Sequence, residues 1–151
     1  MLPLLISFIA ALAPPSGSTR VCDVGRATLR DLPPPSFNPA DATYYVDADP
    51  NHPGLMAACP DLRKELPAGY SVADEAAWSR ARVHAPVLGR CIAPTTIYLV
   101  GIPKVAADGR SATVEWGYEC TGLCSGGFMS RYVRTPAGWR LDGRPRMKWV
   151  S

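Results

Sequence analysis

Over residues 112–120 apolar and polar side chains alternate. Ala112, Val114, Trp116, Tyr118 and Cys120 fall on one side, and Thr113, Glu115, Gly117 and Glu119 on the other. A period of two sends successive side chains to opposite faces of an extended chain, so this run predicts a half-buried β-strand. Residues 95–102 are apolar on both faces, as a strand covered from two sides would be, and Pro103 sets their far end at a sheet edge or a bulge. Asp108-Gly109 is a hairpin signal leading into the 112–120 strand. After the glycine-rich turn that follows Cys120, residues 128–134 read as a third strand. Pro136-Ala-Gly138 turns the chain into 139–141, and 147–150 end it. The pattern predicts an antiparallel C-terminal meander of about four strands.

The first half of the chain lacks this alternation. Residues 72–84 predict a helix: Ser71 can cap it, Asp74 and Glu75 suit the positive end of its dipole, and Arg80, Arg82 and His84 suit the negative end. Its apolar stripe is Val72, Ala76, Ser79 and Val83, with Trp78 to one side. His84 accordingly reads as a helix-end residue rather than a ligand or base. Residues 20–30 predict one short helix with Asp23 as N-cap. Pro33, Pro34, Pro35 and Pro39 then exclude regular structure and predict a polyproline-like connector over 31–40. Residues 43–46 are β-prone, 54–59 predict a helical turn, and Pro60 suits the first position of another over 61–66. The expected class is α+β, with short helices packed on the C-terminal meander. The expected organisation is a signal peptide over 1–18, a Pro-rich N-terminal segment over 19–42 and a single α+β domain over 43–151.

The first charged side chain is Arg20, and an apolar run precedes it from Leu2 to Ala13. That run is too short to span a bilayer but suits the apolar region of a secretory signal. Ala11-Leu-Ala13 has the small-x-small form of a cleavage site, and a cut nearer Ser16-Gly-Ser18 is the alternative. No Lys or Arg precedes the run, and a buried N-terminal helix is the competing reading. Thr19, Arg20 and Val21 before Cys22 do not form a lipid-anchor signal. The sequence therefore predicts an exported protein, periplasmic or extracellular, with no transmembrane segment in the mature chain. Its net charge of +3 is too small to argue for nucleic acid.

Export gives the five cysteines a meaning: in an oxidising compartment such a set is more often structural than catalytic. The preferred pairing is Cys120–Cys124 with Cys59–Cys91, leaving Cys22 free or paired between molecules. A ring of about five residues is worth roughly 2 kcal/mol in the chain-entropy picture, and a loop of about 33 nearer 4 kcal/mol. The rival is thiol–disulfide exchange at Cys120 and Cys124. Oxidoreductase pairs have two residues between them and sit at a helix N-terminus, whereas here three residues intervene and the first cysteine ends a strand.

Other chemistries are weakly encoded. His52 and Cys59, and likewise His84 and Cys91, stand seven apart, which fits neither tight zinc-ligand spacing nor one helix face. Asp47, Asp49 and Asn51 alternate like the start of a calcium loop, but Pro53 and Gly54 follow and no glutamate comes at the twelfth position. No metal and no cofactor is expected. Glu115 and Glu119 share a strand face about 13 Å apart, too far for a carboxylate dyad or a glycosidase pair. Cys–His catalysis would need Cys59 or Cys91 reduced and near His52 or His84. The strongest charge feature is C-terminal: Arg131, Arg134, Arg140, Arg144, Arg146 and Lys148 stand against one acid, Asp142. Arg140 alternates with Trp139 and Leu141, and Arg146 and Lys148 alternate with Met147 and Trp149. This predicts aromatic side chains turned inward and a basic face turned outward, a candidate anion-docking surface for an anionic envelope component or an acidic protein.

The elements Gly117-Tyr-Glu-Cys-Thr-Gly-Leu-Cys-Ser-Gly-Gly127, Arg131-Tyr-Val-Arg-x-x-x-Gly-Trp-Arg140 and a terminal Trp149-Val-Ser151 resemble a pattern in small exported bacterial proteins. Those proteins end in a Cys-x3-Cys turn between strands, a Gly-Trp hairpin and a closing Trp-[Ile/Val]-Ser. The resemblance covers roughly the last forty residues, implies export and a C-terminal sheet, and transfers no catalytic residue. The reading as a whole is an exported, disulfide-stabilised protein that binds rather than catalyses. The alternative is a thiol-dependent envelope enzyme, working by redox chemistry or through a cysteine nucleophile.

Overall fold

A computed structural model describes residues 17–33 and 42–151. The expected signal segment therefore lies outside the described residues over 1–16, as does most of the proline-rich connector over 34–40. In chain order the elements are helix α1 (Gly17–Arg30), strand β1 (Thr43–Val46), helix α2 (Leu55–Ala58) and a 3-10 turn (Pro60–Lys64). Strand β2 (Tyr70–Val72), helix α3 (Glu75–Ala81), β3 (Thr95–Val100) and β4 (Lys104–Val105) follow. The chain ends with β5 (Ser111–Cys120), β6 (Cys124–Thr135), β7 (Gly138–Leu141) and β8 (Arg146–Val150).

The class is α+β as expected, but the sheet is wider than about four strands. Eight strands join in the order β2-β1-β3-β5-β6-β7, with β4 added beside β5 and β8 beside β6. Nor is the sheet a pure meander: β1 runs parallel to both β2 and β3, with Tyr44 opposite Tyr70 and Thr43 opposite Thr95. The Asp108-Gly109 signal joins β4 to β5, with Gly109 at a φ of 67° that an L side chain resists.

The expected helix over 72–84 is shorter, because its first residues are taken by the sheet. Val72 pairs with Val46, and the Ala73 N–H donates to the Val46 carbonyl at 2.9 Å. The helix then starts at Glu75, capped by Asp74, whose Oδ1 accepts from the Ala77 N–H at 2.7 Å. Ala77 and Ala81 are the fully buried residues of α3, packed on Ile97 of β3, in place of the predicted Val72-Ala76-Ser79-Val83 stripe. Arg80 fastens the helix to the sheet, donating to Thr95 Oγ1 at 3.1 Å and to the Tyr45 hydroxyl at 3.0 Å.

Helix α1 begins earlier than predicted, so Asp23 lies inside it and pairs with Arg26 at 2.9 Å instead of capping it. The helix belongs to the core. Val24 and Leu29 pack with Leu55 and Met56 of α2, with Leu62, and with Val46, Val100, Val114, Trp116 and Tyr132 of the sheet. Burial of these apolar groups, at roughly 25 cal/mol per Å², is the main stabilising term. Two buried polar groups of this layer are partnered: the Trp116 Nε1–H donates to Ser130 Oγ at 2.9 Å, and Thr28 Oγ1 donates to the Val24 carbonyl at 3.0 Å, whereas the buried Tyr44 hydroxyl has no hydrogen-bond partner among the described residues. Arg26 also forms a forked pair with Glu65, tying α1 to the residue after the 3-10 turn.

The disulfide pattern corrects the expected one at two of its three parts. Cys22 of α1 is bonded to Cys59, with a Cα–Cα separation of 5.6 Å, and Cys91 is the exposed free cysteine. The pairing Cys59–Cys91 with Cys22 free is thus replaced, because α1 packs directly against α2 and brings Cys22 to Cys59. Cys120 and Cys124 are paired, facing each other across the end of the β5–β6 ladder.

Three outcomes follow from this packing. Peptide mapping without reduction should link Cys22 to Cys59 and Cys120 to Cys124 and alkylate only Cys91. Replacing Cys22 and Cys59 together by serine should lower the unfolding free energy by up to about 4 kcal/mol in urea titrations, since their loop is long. The Arg26 guanidinium holds the Glu65 carboxyl below its ordinary value of 4.5. A group with a depressed folded pKa stabilises above its unfolded pKa and loses that contribution as pH falls through the folded value. The melting-temperature difference between the native protein and Glu65→Gln should therefore be steady near neutrality and vanish in acid.

Candidate functional site

The register assigns every strand residue to one of two faces. The face holding Ala112, Val114, Trp116 and Tyr132 meets α1 and α2. On the opposite face α3 shields only the β1–β3 side, around Ile97 and Tyr45. Beyond it that face is open, and its residues fall in rows across the strands.

One row runs Leu99, Gly117, Gly127, Trp149 across β3, β5, β6 and β8. Two large apolar residues flank two glycines, which leaves a trough of about 250 Å³. The glycines are required by close approach. A Cβ on Gly117 would lie 2.6 Å from the Gly126 carbonyl oxygen, and one on Gly127 would overlap the Trp149 indole. Trp149 leans on Gly127 and stays 52% exposed, so it is a wall of the trough and not part of the core. Glu115 and Glu119 stand on β5 two residues either side of Gly117 and also line the trough. Lys148 reaches Glu115 at 3.2 Å and neutralises it, whereas Glu119 has no ion pair among the described residues. Beside Glu119, Ser125 pairs through its backbone with Ser151, and their hydroxyls are hydrogen-bonded.

The expected inward turn of Met147 and Trp149 does not occur. A register shift between Gly127 and Phe128 in the β6–β8 pairing sets Trp149 opposite Gly127 and Met147 opposite Phe128, on different faces. The whole strand is exposed. A bulge of this kind breaks strict alternation, which is why the period-two reading failed there.

The six basic candidates do not form one cluster. Arg131 lies opposite Thr113, Arg140 opposite Val133 and Arg146 opposite Met129, all on the open face with Lys148. Arg131 is paired with Asp142 at 3.4 Å, while Arg140 and Arg146 have no carboxylate partner among the described residues. Arg134 lies opposite Trp139 on the other face, in a groove shared with Arg26 and Arg30 of α1. Arg144 is exposed in the turn between β7 and β8.

The remaining candidate chemistries have other uses. Cys59 is oxidised, so it supplies neither a zinc thiolate nor a nucleophile. His52 Nδ1 lies 3.7 Å from Asp47 and 3.6 Å from Asp49. The Asp49 carboxyl is held below its usual range chiefly by the Asn51 backbone N–H, with help from the Asn51 side chain and His52. His84 Nδ1 is 3.1 Å from the Gly122 carbonyl, against the turn that joins Cys120 to Cys124. Thr121 in that turn donates to the Arg80 carbonyl at 2.9 Å, so the turn is anchored on the end of α3.

The trough was not anticipated from the sequence, although a signal for it was there. Gly117 interrupts the polar side of an otherwise regular strand, and glycine inside a strand marks a bulge or a close approach. Comparisons of the chain with protein-family models, characterised proteins and solved structures return no match.

Gly117→Ala should destabilise the fold by roughly 1–3 kcal/mol, because the added methyl meets backbone that cannot move aside. Gly127→Ala meets only the exposed Trp149, and should instead displace the indole. Its signature is a changed tryptophan emission spectrum with a much smaller loss of stability in the same urea titration.

Proposed function

We propose that this is an exported, disulfide-stabilised binding protein that docks an anionic partner on the open face of its sheet. The observation that carries the reading is the uncovered face itself. It holds Arg131, Arg140, Arg146 and Lys148 on a rigid paired framework, two of them with no neutralising carboxylate among the described residues. Guanidinium groups fixed on a sheet are suited to carboxylate, sulfate or phosphate, since their forked donors match those planar and tetrahedral anions. Two disulfides support an oxidising compartment, in keeping with the N-terminal apolar run. No helix among the described residues is long and apolar enough to cross a membrane. The resemblance of the C-terminal motifs to those of small exported bacterial proteins supports the same reading.

Binding to immobilised dextran sulfate tests the reading. Exposed charges more than a Debye length apart are screened, about 10 Å at 0.1 M salt, so affinity should fall steeply as salt rises. The double charge reversal Arg140→Glu with Arg146→Glu should weaken binding by about tenfold or more, a change of at least ~1.4 kcal/mol. Arg134→Glu, on the other face, should leave it unchanged. Binding that ignores salt, or that responds equally to Arg134→Glu, would overturn the proposal.

A further inference from the structure

We infer that the glycine-floored trough is a subsite for one sugar ring, and that the anionic partner is accordingly a glycan. This rests on the docking face proposed above and adds to it a site of different chemistry. The trough is not basic. Its floor is Gly117 and the flank of Gly127, its walls are Leu99 and Trp149, and its ends are the carboxylates of Glu115 and Glu119.

The dimensions fit a ring. Leu99 and Trp149 are three inter-strand steps apart, about 14 Å between Cα atoms, and the two side chains take up part of that span. Glu115 and Glu119 are about 13 Å apart along β5. The chemistry fits a sugar better than other ligands of that width. A pyranose has an apolar C–H face and a rim of hydroxyls that both donate and accept. The trough offers the half-exposed Trp149 indole to the first. To the second it offers the Glu119 carboxylate as acceptor and the Lys148 ammonium as donor. An acyl chain would leave the Glu119 carboxylate desolvated and unpaired. A phosphate would meet the negative charge of Glu119.

The anionic groups of such a glycan belong outside the trough, on the basic rows. Arg146 lies opposite Met129, two residues along β6 from Gly127, or about 7 Å. One chain can therefore rest a ring against Trp149 and reach a guanidinium with a charged substituent of a neighbouring ring. This division of labour separates the two proposals: the arginines respond to charge, and the trough responds to the ring.

The test compares polyanions with and without rings. Affinities of the full chain for oligogalacturonate, hyaluronan oligosaccharides and dextran sulfate are measured beside polyphosphate matched in charge. At least one glycan should bind about tenfold or more tightly than polyphosphate and shift the tryptophan emission, a preference worth at least ~1.4 kcal/mol. Trp149→Ala should remove that preference and leave polyphosphate binding unchanged, while Trp149→Phe retains part of it. Because Trp149 is half-exposed, thermal melts of both variants should match the native protein. If every glycan binds no better than polyphosphate, or if Trp149→Ala weakens both alike, the sugar subsite is wrong and the anion-docking face stands. If no polyanion binds, both fail.

Discussion

Ten consecutive residues of β5 lie opposite ten of β6, from Ser111 against Val133 to Cys120 against Cys124, and the rest of the fold attaches to this ladder. Each of its outer edges is shared by two short strands placed end to end, β3 and β4 beside β5, and β7 and β8 beside β6. A slip of one residue would turn every side chain to the wrong face, so the register must be fixed firmly. Three features fix it. Trp116 stacks on Phe128 with ring centroids 4.6 Å apart, Gly117 admits the Gly126 carbonyl, and the Cys120–Cys124 bond closes the end.

The ladder has two unlike faces. Towards the helices, aromatic rings run across the strands: Tyr70 lies 6.0 Å from Tyr44 and 5.8 Å from Tyr98, and Tyr98 lies 6.1 Å from Trp116. Burial there pushes the Tyr98 and Tyr132 phenols up to about 12, so neither is ionised at any ordinary pH. The other face is only partly covered, by a helix of seven residues. A sheet can tolerate one solvated face when it is antiparallel and polar on that side. The row of glycines at Gly117 and Gly127 and the exposed Trp149 depart from that rule, and the candidate site lies among them.

Much of the sheet was legible because β3, β5 and β6 have strong local patterns: a continuous apolar run, strict alternation, and a strand following a glycine-rich turn. What escaped was set by distant partners. β2 is three residues long, too short for any period to register, and it exists because Val46 is there to pair with Val72. The same pairing shortened the predicted helix. The Cys22–Cys59 bond escaped because cysteine spacing does not encode which helices pack together. Trp149 was misassigned to the core because alternation along β8 assumes an unbroken register, and the shift beside Gly127 breaks it. The basic residues were identified by type, but their division between two faces required the register of β6 with β7 and β8.

The bond between Cys22 and Cys59 also has a topological meaning. The chain leaves α1 at Arg30, passes through a stretch with Pro33, Pro34, Pro35 and Pro39, and enters the sheet at Thr43. All of that passage lies inside the covalent loop closed by the two sulfurs. A protease cut anywhere in it would yield two pieces that remain one molecule, with α1 still held against α2 and its apolar side still covered. Backbone continuity at this point is dispensable to the integrity of the core for as long as the disulfide stays oxidised.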